Sequence, residues 1–213
     1  MQVIKQGAEA ILYLEEREGK KVLVKERIKK DYRIEQIDLK LRKERTKEEV
    51  KLLTEARKVG VITPKIFEVD YKNFKIVMEF VEGKRLKEFF NEASEEEIKK
   101  VCLEVGKLIG KLHSNGIIHG DLTTSNMILK NNEIYFIDFG LGFFSKRIED
   151  QGIDLNLLYE ALKATHFKIL NVCWQSIIKG YEEVYEDAKK VLEKVEEIEA
   201  RARYAERKVK RER

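Results

Sequence analysis

The chain has 213 residues and a formal net charge of +4, from 43 Lys and Arg against 39 Asp and Glu. Residues 201–213 hold seven basic and two acidic side chains, a net of +5, so the body of the chain is close to neutral. A hydrophobic fraction of 43% supports a folded core, and no apolar run approaches the roughly 20 residues needed to cross a bilayer. Two distant cysteines, Cys102 and Cys173, exclude a disulfide framework and a Cys-x-x-Cys metal site. With no signal-peptide pattern after Met1, we expect a cytoplasmic protein that does not bind membranes.

The first part of the chain predicts strands around one helix. Two-residue alternation and flanking turn residues predict strands over Val3–Gln6, Ile11–Leu14, Val22–Lys25, Ile66–Val69 and Phe74–Val81. Between the third and fourth of these strands, a charged stretch leads into a helix that ends at Gly60. The apolar positions of this helix are Val50, Leu53, Ala56 and Val59.

From Gly83 onward the pattern is mostly helical. Ser94 and Glu97 form a capping box that predicts a helix start. Behind it, apolar residues repeat at three-and-four spacing, namely Ile98, Val101, Cys102, Val105, Leu108, Ile109 and Leu112. Helical periodicity returns over Leu155–Leu162, Ile169–Tyr185 and Ala188–Ala202. We therefore predict two lobes, residues 1–82 and 83–200, with a ligand cleft between them and a basic tail over 201–213.

The clearest chemistry lies in the centre of the chain. Two apolar runs separated by Asn131-Asn132 predict a hairpin that brings Asp138 beside Asn126. Asp121 lies five residues before Asn126 on a short loop. Two carboxylates and an amide oxygen that converge in this way suit a magnesium ion carried in by nucleotide phosphates. The spacing, Asp-x4-Asn followed by Asp-Phe-Gly, is the catalytic-loop and metal-binding signature of kinases.

A lysine and a glycine in the first lobe could complete a nucleotide site. Lys25 ends an apolar strand, where it either reaches the α- and β-phosphates or stays solvated at a strand edge. A phosphate-binding lysine needs a carboxylate on the following helix, and the candidates are Glu44, Glu48 and Glu49. We choose Glu49 because it shares the inward-facing stripe of that helix. Gly7 stands where an ordinary kinase loop carries three glycines, and it serves either a hairpin turn or backbone approach to the phosphates.

Motifs along the whole chain resemble one family, the small atypical kinase and ATPase subunit of the KEOPS complex. They are Lys5-Gln6-Gly7-Ala8-Glu9-Ala10, Arg45-Thr46-x-x-Glu49, the runs 119–126 and 137–142, Glu149-Asp150-x-x-x-Asp154-Leu155 and the basic C-terminus. The resemblance implies an α+β fold that is bilobal and protein-kinase-like. It is minimal in size, with a β-rich N-lobe carrying one main helix and a helical C-lobe.

The resemblance also implies the roles of individual residues. Asp121 would be the catalytic base, Asn126 and Asp138 would hold Mg²⁺, and ATP would be the nucleotide. The implied ATP-binding residues are Gly7, Ala8, Glu9, Ala10, Lys25, Glu49, Met78, Glu79, Phe80 and Val81. Gln151 departs from the lysine that the family pattern would place there.

The function that the resemblance implies is that of a serine/threonine protein kinase and ATPase. Within the complex it would support threonylcarbamoyladenosine formation at tRNA position 37, beside a threonylcarbamoyl-transferring subunit and a small regulatory subunit. Alternatives are a RIO-type ribosome-maturation kinase, a small-molecule phosphotransferase and a non-catalytic ATP-binding scaffold. The phosphoacceptor, the oligomeric state and a possible fusion with the transferring subunit stay open at this point.

Two further features bear on the substrate. Only 13 residues separate Gly140 from Asp154, and Pro64 is the sole proline, so the Ala-Pro-Glu closure of a peptide-docking segment is impossible. The basic tail is either a solvated terminus or a contact for tRNA phosphates. In the second case, tRNA would contact the chain through Arg207, Lys208, Lys210 and Arg211.

Overall fold

The structure is a computed structural model that describes residues 2–211, and the side chains of residue 203 and of residues 205–211 lie outside the described part. An antiparallel sheet with the strand order β1-β2-β3-β5-β4 forms the first lobe. Its strands are β1 (Gln2–Gln6), β2 (Ala10–Arg17), β3 (Lys20–Arg27), β4 (Ile66–Asp70) and β5 (Lys75–Glu79). The predicted strands are confirmed, although β2 and β3 are longer and β5 ends at Glu79 rather than Val81.

One long helix, α1 (Glu35–Lys58), crosses this lobe and ends as the sequence predicts. The amide of Gly60 donates to the carbonyl of Arg57, and the amide of Val61 donates to the carbonyl of Ala56. Gly60 has a φ of 81°, in the left-handed region that glycine adopts without strain. These are the two hydrogen bonds of a Schellman motif, so the cap predicted at Gly60 is confirmed.

The buried face of α1 is shifted slightly from the predicted one. Leu52 and Leu53 are fully buried, whereas Val50 and Val59 are only half-buried. Glu49 is buried on the same side of the helix as Leu53, one turn away. Because the leucines of α1 belong to the same apolar core as the helices of the second lobe, α1 connects the two lobes.

The second lobe is helical. Its helices are α2 (Leu86–Phe89), α3 (Glu95–Ser114), α4 (Ile148–Thr165), α5 (Leu170–Val184) and α6 (Ala188–Arg211). The capping box is confirmed, since the Ser94 hydroxyl accepts from the Glu97 amide and the Glu97 carboxylate accepts from the Ser94 amide. The boundary expected at residue 82 falls between β5 and the next strand, and the tail boundary at residue 201 falls inside α6. No helix among residues 2–211 is long and apolar enough to cross a membrane.

Short strands between α3 and α4 position the predicted chemistry. They are β6 (Lys84–Arg85), β7 (Ile117–Ile118), β8 (Met127–Lys130), β9 (Glu133–Phe136) and β10 (Phe143–Phe144). The hairpin of β8 and β9 turns at Asn131 and Asn132, whose φ values of 52° and 64° lie in the region that asparagine tolerates. A backbone hydrogen bond from the Ile137 amide to the Asn126 carbonyl then holds the two ends of the hairpin together.

Candidate active site

Lys25 of β3 forms two ion pairs at the floor of the cleft between the lobes. Its Nζ lies 2.6 Å from Oε1 of Glu49 and 2.6 Å from Oδ1 of Asp138. Burial by itself lowers the pKa of Lys25, but the Glu49 and Asp138 carboxylates outweigh burial and hold that pKa above its ordinary value. Among the carboxylates of α1 considered as partners, Glu49 is therefore the one that contacts Lys25. The ammonium stays charged at neutral pH and can attract phosphate oxygens.

Arg27 is a second buried cation that pairs with Glu49, and it was not predicted from the sequence. Its Nη2 lies 2.6 Å from Oε2 of Glu49, so the two carboxylate oxygens of Glu49 each take one cation of β3. Lys25 and Arg27 stand two residues apart on β3 and therefore share one face of the sheet. That spacing is the one signal in the sequence that could have indicated Arg27. Glu49 would keep a partner if Lys25 turned toward a ligand.

Asp138 adopts an uncommon backbone conformation beside Lys25. Its φ of 65° lies in the left-handed region, which a residue other than glycine seldom occupies. Burial raises the pKa of Asp138, but Lys25 outweighs burial and holds that pKa below its ordinary value. A Cβ atom at Gly140 would lie 3.1 Å from both the Asp138 carboxylate and Lys25 Nζ, so the glycine leaves room for this pair. Asp138 is thus an ionised carboxylate directed into the cleft.

Asp121 and Asn126 form the other side of the site. The side-chain Nδ2 of Asn126 donates to Oδ2 of Asp121 over 2.7 Å and to the Asp121 carbonyl over 3.0 Å. Because its NH₂ group faces Asp121, the amide oxygen of Asn126 is directed elsewhere. The pair links Asp121, in the loop of residues 119–126, to the residue that directly precedes β8. Asn126 therefore fixes the orientation of the Asp121 carboxylate.

His119 braces this loop through both of its ring nitrogens. Its Nε2 lies 3.2 Å from the carbonyl of Ile137, and its Nδ1 lies 3.2 Å from the amide of Asp121. A carbonyl only accepts and an amide only donates, so the imidazole is neutral with its proton on Nε2. Burial agrees with this, because it lowers the pKa of His119. The ring also packs on Phe139, with centroids 4.4 Å apart.

Asp154 of α4 holds the same loop by binding its backbone amides. Its carboxylate accepts hydrogen bonds from the amides of His119 and Gly120, both over 2.8 Å, and lies 3.2 Å from Nε2 of His113. The carboxylate is almost fully buried. A buried charge of this kind is stable because several donors satisfy it. Asp154 belongs to the motif Glu149-Asp150-x-x-x-Asp154-Leu155, but the residue pattern alone indicated no role for it.

Gln151, the departure from the family pattern, is buried on α4 one turn before Asp154. Its Nε2 donates to the carbonyl of His113 over 3.1 Å, and its Oε1 accepts from the hydroxyl of Tyr185 over 3.0 Å. Both ends of the amide are therefore satisfied by neutral groups. A neutral glutamine fits a position whose partners among the described residues are neutral, and it supports the helix end that carries His113.

Two adjoining cavities contain the remaining predicted residues. One cavity of about 110 Å³ is lined by apolar side chains, among them Leu12, Leu23 and Ile128, and by residues 78–81. The other, of about 320 Å³, lies beneath residues 7–10 and reaches Asp121. Both are lined by Lys25 and Asp138. The structure thus brings together all predicted site residues except those in the tail, and the side chains of Arg207, Lys208, Lys210 and Arg211 lie outside the described residues.

The donor set fits a magnesium–nucleotide complex. Carboxylate and amide oxygens are the ligands that Mg²⁺ prefers, and Asp138 and Asn126 supply one of each. The chain's two ligands are fewer than the about six that magnesium takes, so phosphate oxygens and water would complete the shell. Lys25 lies on the same side and would meet the phosphates.

The sequence matches the protein kinase domain family over residues 6–161, which is most of the chain. It is 54% identical to the KEOPS complex subunit Bud32 of Pyrococcus abyssi, over 97% of this chain and 98% of that protein. The chain belongs to the Bud32 family. It is also 44% identical, over 96% of its length, to a probable bifunctional tRNA threonylcarbamoyladenosine biosynthesis protein of Methanosarcina mazei, of which it covers 36%.

Solved structures agree with the kinase-like fold of this Bud32 family member. The Rio2 kinase–ADP/Mg²⁺–phosphoaspartate complex of Chaetomium thermophilum superposes with a TM-score of 0.63 at 14% identity, over 96% of this chain and 72% of that one. WaaP in complex with acyl carrier protein superposes with a TM-score of 0.62 at 16% identity, over 92% and 86%. At such identities the likeness concerns the fold alone. The predicted fold class, with a β-rich N-lobe and a helical C-lobe, is confirmed.

Proposed function

We propose that this Bud32 family member is an ATP- and Mg²⁺-dependent serine/threonine kinase and ATPase that supports threonylcarbamoyladenosine formation at position 37 of tRNA. The observation that carries the proposal is the paired site at Lys25, where Glu49 and Asp138 meet one buried ammonium. Active kinases require an ion pair between the strand lysine and a helix carboxylate, together with the Asp of Asp-Phe-Gly placed to hold Mg²⁺. The names of the relatives supply the tRNA-modifying context.

In this mechanism the site residues bind the nucleotide phosphates, hold magnesium or accept a proton from the attacking group. Lys25 binds the α- and β-phosphates, and Glu49 orients it with help from Arg27. Asn126 and Asp138 hold magnesium, which when bound neutralises charge that develops on the phosphoryl oxygens. Asp121 lines the same cavity as Lys25 and Asp138 and accepts the proton of the attacking hydroxyl or water. Residues 79–81, with Met78 behind them, line the adenine cavity.

The short segment after Gly140 favours hydrolysis over broad peptide phosphorylation. Gly140 is followed by β10 and, at Ile148, by the start of α4. β10 pairs with β7, so this segment is folded back on the catalytic loop. A peptide-docking platform needs a longer segment that closes with Ala-Pro-Glu. We infer that water and a small set of hydroxyls are the acceptors.

We further propose that this chain acts in the cytoplasm beside a threonylcarbamoyl-transferring KEOPS subunit and a small regulatory KEOPS subunit. The bifunctional relatives support the first partner, because the chain spans only about a third of their length and another segment is joined to it there. tRNA would reach the site through these subunits or through the basic tail.

Phosphate release from ATP by the purified chain tests the enzymatic part of the proposal. We expect magnesium-dependent turnover that Asp138→Ala abolishes, with Glu193→Ala on the helical lobe as an exposed control. Turnover should rise when the transferring subunit and tRNA are added to the wild type. Undiminished turnover in Asp138→Ala would contradict the enzyme assignment, and indifference of the assembled complex to tRNA would contradict the tRNA role.

A further inference from the structure

The loop between β1 and β2 is held against α1 by ion pairs of Glu9. Oε1 of Glu9 lies 2.8 Å from Nη2 of Arg33, and Oε2 lies 2.8 Å from Nη1 of Arg45. Arg33 also reaches Oε2 with its Nη1 over 3.4 Å, so its guanidinium spans both carboxylate oxygens. A planar guanidinium that binds a carboxylate through two nitrogens fixes direction as well as distance. These contacts define a cluster, which we call the loop latch, of Glu9, Arg33 and Arg45.

The loop latch is itself anchored to a rigid part of the fold. Arg33 precedes α1, and its Nη1 lies 3.8 Å from Oδ1 of Asp38, a fully buried carboxylate of α1. Asp38 also accepts from Nε of Arg42 over 2.7 Å and from the amide of Lys30 over 3.3 Å. The Arg33 side chain is 16% exposed, so most of it is shielded from water. The latch therefore connects the loop to a fixed network rather than to a solvated side chain.

Arg45 and Glu49 lie one helical turn apart on α1, and each contacts a residue that lines the same cavity. Arg45 contacts Glu9 in the loop, and Glu49 contacts Lys25 on β3. Residues four apart on a helix share one face, which is why one face of α1 can reach both. The cavity between them is lined by residues 7–10, Lys25 and Asp138.

The backbone of residues 7–10 can adopt fewer conformations than that of a glycine-rich loop. Its only glycine is Gly7, whose amide donates to the carbonyl of Ala10 over 2.9 Å and closes a tight turn. A loop with three glycines can fold over the phosphates from many conformations, but Ala8, Glu9 and Ala10 restrict the backbone. A restricted loop binds phosphate well only if it already stands in the right position.

We propose that Glu9 is a positioning residue, and that its ion pairs with Arg45 and Arg33 hold the loop of residues 7–10 over the phosphates of the bound nucleotide. α1 would then set the positions of the loop and of Lys25 together. The inference deepens the proposed function and rests on the proposed binding of ATP.

The variant Glu9→Gln distinguishes a positioning role of Glu9 from the effect of its charge on the phosphates. Removing a negative charge beside a phosphate site, and freeing two arginines there, would by charge alone strengthen nucleotide binding. The loop latch predicts the reverse, because the loop loses its tether and phosphate binding becomes weaker. We expect Mg²⁺·ADP and Mg²⁺·ATP to bind about two- to fivefold more weakly, the range for loss of an ion pair that is partly exposed to solvent. Adenosine, which has no phosphate, should bind as it does to the wild type.

Calorimetric titration with adenosine, ADP and ATP provides the test, on the wild type, Glu9→Gln, Arg45→Gln and Glu44→Gln. Glu44 neighbours Arg45 on α1, pairs only distantly with Lys40 over 3.9 Å and is exposed, so Glu44→Gln is the matched control. The double variant Glu9→Gln with Arg45→Gln should weaken ADP binding by less than the two single variants added together, because both changes break the same contact.

The outcomes are distinct. If the wild type binds neither ADP nor ATP, the proposed function fails, and the latch proposal fails with it because there are no bound phosphates to cover. If the wild type binds but Glu9→Gln binds ADP equally well or more tightly, the latch is wrong and the proposed function stands. Equal weakening for adenosine and ADP would assign Glu9 a structural role only, and would also overturn the positioning role.

Discussion

Asn126 holds the carboxylate of Asp121 through a side-chain hydrogen bond of 2.7 Å. The candidate metal ligand is thus also the residue that orients the candidate base. A base must be oriented toward the proton that it accepts, and positioned proton transfer contributes about 10²–10⁴-fold to rate. The two roles can be separated by substitution.

We expect Asp121→Asn to lower ATP turnover by about 10²–10⁴-fold, because the amide cannot accept the proton. Asn126→Ala keeps the carboxylate but frees its orientation and removes an oxygen ligand, so turnover should fall and the magnesium requirement should rise. Steady-state phosphate release over a magnesium series measures both. Asn91→Ala, at an exposed position, is the control. Unchanged magnesium dependence in Asn126→Ala would contradict the ligand role.

Asp154 is expected to be essential to stability as well as to turnover. Replacing it by Ala leaves the amides of His119 and Gly120 without their buried acceptor. Hydrogen bonds to a charged group contribute about 1.5–3 kcal/mol each, so we expect a loss of about 3–5 kcal/mol in the free energy of unfolding. Urea unfolding measures the change. Glu160→Ala, at an exposed site on the same helix, should change it by less than about 1 kcal/mol.

Acid should destabilise the fold through its buried histidine His119. Burial lowers the pKa of His119 in the folded state, so below a pH of about 6.5 the unfolded chain binds a proton that the folded chain does not. The free energy of unfolding should therefore decrease by about 1.4 kcal/mol per pH unit as pH falls toward the folded pKa.

Urea unfolding between about pH 5 and 7 should show a shallower slope for His119→Asn than for the wild type. His166 is also buried with a lowered pKa, so His166→Gln should reduce the slope in the same direction. A slope that His119→Asn leaves unchanged would contradict the neutral, buried imidazole.

The basic tail should make tRNA binding depend on salt. Glutamine at Arg207, Lys208, Lys210 and Arg211 removes four charges, and each lost phosphate contact lowers the salt slope of log affinity by about 0.9. We expect the slope to fall by up to about 3.6 units in filter binding over a salt series. The control places glutamine at Lys99, Lys100, Lys179 and Lys189, which are exposed elsewhere on the helical lobe. Equal slopes for both variants would contradict a specific role of the tail.

Local features of the site were predictable because they depend on neighbours in the chain. The turn at Asn131-Asn132 follows from the tolerance of asparagine for positive φ, and it is enough to bring Asn126 and Asp138 together. Helical phase likewise favours Glu49 over Glu48. Arg27 was not predicted because the charged end of β3, Lys25-Glu26-Arg27, is typical of a solvated strand edge. Only the packing of α1 buries the Arg27 side chain.

The sequence by itself determined the strands and the long helix of the first lobe, the long helices of the second lobe, the caps and the set of groups proposed to transfer a phosphoryl group, since these depend on residue type and short-range spacing. Only the tertiary structure decided which charges meet. Glu9 pairs with Arg45, and Asp154 binds the amide of His119, across separations of 36 and 35 residues. Such pairs form when packing of α1 and α4 removes water from around them, because a low dielectric strengthens attraction and makes an unpaired charge costly.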